Sequence, residues 1–118
     1  MGQEFFELAQ AGPAQVVSLR LPQAMDSSQF DRLNDELLTL LGAQPQGQWV
    51  LDLSGVSYMG SSALGLMVNV RQRVKQAGGQ LVLCGLSPRL LQVFKTCCME
   101  RLFRIAKTRE QALWYLGA

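Results

Sequence analysis

The chain reads as a single α/β domain over residues 1–118, with a mostly parallel central sheet, an N-terminal hairpin and four helices. Three observations predict this. The segments 49–53 and 81–86 are almost continuously apolar, as strands covered on both faces must be. Helical stripes of apolar residues alternate with such runs, and that order calls for crossover connections and parallel pairing. Finally, 48% apolar residues in a chain of 118 supply one core without metals or disulfides.

Phe5–Ala9 and Val16–Leu21 read as two strands, and Ala11-Gly12-Pro13 between them is a turn signal. Pro22 has no N–H for a ladder and stops the second strand. Asp26, Ser27 and Ser28 are all competent caps for a first helix, whose Phe30, Leu33, Leu37, Leu40 and Leu41 recur at helical spacing. Asp31, Asp35 and Glu36 suit its positive end, and Gly42 closes it before a loop containing Pro45 and Gly47.

Trp49–Leu53 is the expected central strand, apolar except for Asp52, and Ser54-Gly55 breaks it. Val56–Met59 then runs extended into Gly60, Ser61 and Ser62. From Ala63 a second helix sets Leu64, Met67, Val68 and Val74 near one face, places Arg71, Arg73 and Lys75 late, and ends at Gly78-Gly79. Leu81–Leu86 is the next strand. Ser87-Pro88 opens a third helix carrying Leu90, Leu91, Val93 and Phe94. Leu102–Ala106 is a last strand, and Thr108 with Gln111 forms a capping-box pattern before Ala112, Leu113 and Leu116.

Composition removes many functions. The chain has no histidine, which excludes Ser-His-Asp and Cys-His nucleophiles and histidine-based metal hydrolysis. Cys84, Cys97 and Cys98 are an odd set without C-x-x-C spacing, read as free thiols in or near an apolar core in a reducing compartment. No catalytic residue, metal or cofactor is expected. Eleven basic against nine acidic residues give a net charge of +2, and no long basic run marks nucleic acid as a partner. The cluster Arg101, Arg104, Lys107 and Arg109 is read as a solvated face.

Glu4 and Glu7 interrupt any signal-peptide pattern, and no apolar run approaches a bilayer span of roughly 20 residues. Met1-Gly2 lacks the hydroxyl residue a myristoylation start needs, because Phe6 stands there. The expectation is a cytoplasmic protein without direct membrane insertion.

What remains is the serine pair Ser61-Ser62, after a buried strand and at the start of an amphipathic helix. The C-terminal edge of a parallel sheet is where open α/β folds expose their sites. Unpaired first-turn N–H groups and the helix dipole favour negative charge there, so a phosphoryl group on a serine would be well received. Either serine could instead serve only as the helix cap. The segment is neither a nucleophile elbow, since Leu64 holds the position of its second glycine, nor a P-loop.

The run Trp-Val-Leu-Asp-Leu-Ser-Gly-Val-Ser-Tyr-Met-Gly-Ser-Ser-Ala-Leu-Gly-Leu, residues 49–66, resembles the STAS domain, and within it the bacterial anti-sigma factor antagonists. The likeness continues through Gly78-Gly79, Leu81–Cys84, Ser87-Pro88 and the closing helix. It implies a partner-switching protein that binds an anti-sigma factor which is also a serine kinase. Ser61 would be the phosphorylated residue, a PP2C-type phosphatase would reset it, and Ser62 is then the expected cap. Asp26 matches an acidic position of the family. Asp26, Tyr58, Met59, Gly60, Ser61, Ser62 and Met67 form the candidate partner surface; for Asp26, Tyr58 and the methionines, capping or core filling is the alternative role. Two departures stand out: Gly60 where the family carries aspartate, and Ala63 where it carries glycine. They leave open a second role, a non-phosphorylated adaptor subunit in another assembly such as a lipid-transport complex.

Overall fold

A computed structural model describes residues 5–22 and 24–117, so the reading of Met1-Gly2 and Glu4 lies outside the described residues. The elements run β1 (Phe6–Ala11), β2 (Ala14–Leu19), α1 (Ser27–Gly42), β3 (Gln48–Asp52), α2 (Ser61–Gln76), β4 (Gln80–Cys84), α3 (Pro88–Thr96), β5 (Arg104–Ala106) and α4 (Arg109–Tyr115). A short 3-10 turn, Met99–Arg101, precedes β5. The strands lie side by side in chain order. Only β1 and β2 are antiparallel; the remaining pairs are parallel, as the alternating elements predicted.

Pleating divides the core. Trp49, Leu51 and Leu53 join Val17, Leu19 and Leu83 beneath α1, α2 and α3. Val50 joins Val16, Val82 and Cys84 on the opposite face, where Ala112 of α4 and Leu116 just after it cover them. Each helix start follows from local chemistry. Asp26 caps α1: its carboxylate accepts from the Gln29 N–H at 2.8 Å while Gln29 Oε1 accepts from the Asp26 N–H at 2.9 Å. The Ser87 hydroxyl accepts from the Leu90 N–H, with Pro88 at the first helical position. At α4 the Thr108 hydroxyl accepts from the Gln111 N–H, but Gln111 reaches back to the N–H of Lys107 and not of Thr108.

Several expectations shift. The inward face of α2 is Ala63, Leu66, Met67, Val70 and Val74; Val68 points to solvent and Leu64 is half-buried. β4 stops at Cys84 because Gly85 adopts φ +75 and lies so close to Asp52 and Ser54 that a side chain would collide with both. Leu102 sits in the turn before β5, not in it. Cys84 is buried, whereas Cys97 and Cys98 are exposed at the end of α3. Among the described residues, no helix is long and apolar enough to cross a membrane.

Candidate functional site

The loop between β3 and α2 is anchored by every third residue. Val56 and Met59 insert into the core, and the Val56 N–H closes a turn onto the Leu53 carbonyl at 3.0 Å. Ser57, Tyr58 and Gly60 are thereby turned outward, and the chain enters α2 with Ser61 and Ser62 exposed. Gly60, not a serine, is the N-cap of α2, at φ −86 and ψ −172. Its carbonyl accepts the first helical bond, from the Leu64 N–H at 3.0 Å. Ser62 therefore does not cap the helix. The N–H groups of residues 61–63 have no acceptor within the helix, and no side chain at position 60 competes for them.

Ser61 lines a cleft of about 530 Å³ whose apolar wall is Leu21, Met25 and Phe30. Tyr58 and Arg89 lie on the same cleft, and among the described residues Arg89 is the only charged one lining it. Its guanidinium sits 5.5 Å from the centre of the Tyr58 ring, which is 55% exposed. Such a contact at an exposed site contributes about 0.5–1 kcal/mol, enough to bias a side chain and too little to fix it. Ser62 also faces an adjoining groove with Asp31, Asn34 and Asn69, which Ser61 does not line. The two hydroxyls thus differ in electrostatic setting.

The expected partner surface divides in the structure. Tyr58, Gly60, Ser61 and Ser62 form one exposed patch. Met59 and Met67 are corrected: at 1% and 0% exposure they are core residues that fix the loop and α2 from beneath, and they offer no surface to a partner. Asp26 is exposed but lines neither groove, and its carboxylate is committed to capping α1. The Gln29 N–H, followed by the Ser28 hydroxyl, holds its pKa below the usual carboxylate value.

Asp52 belongs to a feature the sequence reading missed. Though only 8% exposed, it accepts from the Ser54 hydroxyl at 2.6 Å and the Ser54 N–H at 2.9 Å. Arg109 reaches its other oxygen at 2.8 Å and also donates to the Ser18 hydroxyl at 3.2 Å. Burial pushes the Asp52 carboxyl up, but these hydrogen bonds and the arginine charge together hold it below the usual value. Arg109 is therefore exposed yet committed: it ties α4 to the C-terminal edge of β3. Arg104 is also engaged, stacked 4.3 Å from the Tyr115 ring centre.

Comparison with known proteins now decides the family. The STAS domain profile matches residues 8–112. This chain belongs to the STAS family, among the anti-sigma factor antagonists. It is 30% identical over 92 residues, 78% of each chain, to the proposed anti-sigma factor antagonist BtrV of Bordetella bronchiseptica. Its fold matches an anti-sigma factor antagonist STAS domain protein of Planctomyces limnophilus at TM-score 0.81 and 21% identity, covering 96% of this chain and 98% of that one. It also matches the phosphorylated form of the Bacillus cell fate determinant SpoIIAA at TM-score 0.65 and 21% identity, covering 94% and 98%. STAS anti-sigma factor antagonists are non-enzymatic regulators.

Proposed function

We propose that this STAS domain is a cytoplasmic partner switch that binds an anti-sigma factor with serine-kinase activity and is released when Ser61 is phosphorylated. The observation that carries this is the placing of Ser61: exposed, at the first turn of α2, on a partly apolar cleft without a carboxylate among its described lining residues. In the switching reaction the Ser61 oxygen bonds to the γ-phosphorus of ATP as the bond to ADP breaks, and the hydroxyl proton passes to a base on the kinase. The unmodified cleft offers Leu21, Met25, Phe30 and Tyr58 as apolar contact for the partner. A phosphoryl group adds nearly two negative charges in the middle of that contact, and desolvating them opposes association. A PP2C-type phosphatase would restore the binding form.

The relatives support the reading through their names, and a phosphorylated form is known for SpoIIAA. Gly60 supports the alternative, a constitutive adaptor, because a kinase-facing carboxylate is absent there. Incubation with the cognate kinase and ATP separates the two. The switch predicts a mass gain of about 80 Da that Ser61→Ala abolishes. No gain, with partner binding unchanged by Ser61→Ala, would establish the adaptor.

A further inference from the structure

We propose that Arg89 is an internal receptor for the phosphoryl group of phosphorylated Ser61, released from the Tyr58 ring to pair with it. The inference rests on Ser61 being the modified serine. Three observations carry it. Among the described residues Arg89 is the only charged one lining the Ser61 cleft, and it comes from a different element, the first turn of α3. Its visible partner is the face of Tyr58, an exposed ring at 5.5 Å, a contact easily exchanged for a stronger one. A guanidinium matches phosphate geometry with two parallel N–H donors, so the exchange favours the phosphate.

The surroundings add to this preference. Gly60 contributes no side chain to compete for Arg89 or for the first-turn N–H groups. Neither its backbone angles nor its space requires glycine, since a Cβ there would meet nothing within 4 Å. Asp31 lines the adjoining groove with Ser62 and not the Ser61 cleft, and Asp26 lines neither. Both serines line the cleft with Arg89, but Ser62 also lines the groove with Asp31, so Ser61 is the hydroxyl of the pair that meets the cation with no described carboxylate beside it. On modification, two features of the unmodified surface change together: a dianion appears at Ser61, and the Tyr58 face loses its guanidinium. The switch then rearranges the binding surface as well as charging it.

The test installs phosphoserine at position 61 by genetic encoding, so it needs no kinase. A 31P NMR titration then reads the phosphate directly. An arginine partner stabilises the dianion, so the titration midpoint should lie about half a pH unit lower than in the Arg89→Gln protein, a roughly threefold change in proton affinity. Arg89→Lys should fall between them. Arg73→Gln, at the far end of α2, should leave the midpoint in place. Tyr58 ring resonances should move on phosphorylation in the native chain and far less in Arg89→Gln. Equal midpoints for native and Arg89→Gln would overturn the proposal. Failure of any kinase to modify Ser61 would instead remove the switch reading and leave the Arg89 result standing.

Discussion

Replacing Arg109 by alanine strips the counter-charge from Asp52 and leaves a carboxylate whose side chain is 11% exposed. Removing one partner of a fully buried pair costs about 3–5 kcal/mol, and a fully exposed pair contributes about 0–1 kcal/mol. This pair lies between, because the arginine side chain is 42% exposed and Ser54 still supplies two hydrogen bonds to Asp52. The expected loss at neutral pH is therefore about 1–2 kcal/mol, or roughly 4–8 °C in Tm for a domain of this size. Urea unfolding across pH provides the assay. In the native chain the folded pKa of Asp52 lies below the reference value of 3.8. Its stabilising contribution is thus complete above that value and is lost as pH falls through the folded pKa. Without Arg109, burial is opposed by Ser54 alone and the carboxyl rises. The gap between the two proteins should accordingly narrow as pH falls below the reference value of 3.8, and Asp52→Asn in the Arg109→Ala background should recover part of the loss. A variant as stable as the native chain at neutral pH, or a gap constant across that range, would refute the reasoning.

Two further predictions concern neighbours of this network. Burial, with the Asp52 charge beside it, pushes the Cys84 thiol up to about 12, so a thiol reagent near neutral pH should label Cys97 and Cys98 and spare Cys84 until urea unfolds the chain. Labelling of all three at one rate would contradict the packing of β4. Gly85→Ala should cost more than the roughly 1–3 kcal/mol of a strained left-handed backbone, because its Cβ also collides with Ser54 and Asp52. Chemical denaturation reads this directly, and a neutral substitution would show that the β4 terminus relaxes freely.

The fold was legible because its signals are local. Continuous apolar runs marked β3 and β4, and Asp26, Ser87 and Thr108 marked three helix starts whose caps form as their residue types predict. The start of α2 was misread for a local reason too. Ser62 is a good cap by type, but the anchoring of Met59 leaves Gly60 at the cap position. The inward methionines illustrate a second limit, since spacing says which residues share a face and not which face is wet. The contacts that define the site were not legible at all. Asp52 in an apolar strand signals that a partner exists, but Arg109 lies 57 residues away. Arg89 reaches Tyr58 only because α3 starts beside the loop before α2. Such pairings belong to the topology and not to any window of sequence.

The central claim is that the Ser61 surface binds a partner only while Ser61 is unmodified. Its most direct test is the affinity of the cognate anti-sigma factor for the native chain and for the chain carrying phosphoserine 61, measured side by side by calorimetry. The account predicts binding of the unmodified chain and a loss of at least about tenfold, some 1.4 kcal/mol, on phosphorylation. Equal affinity of the two forms would contradict it.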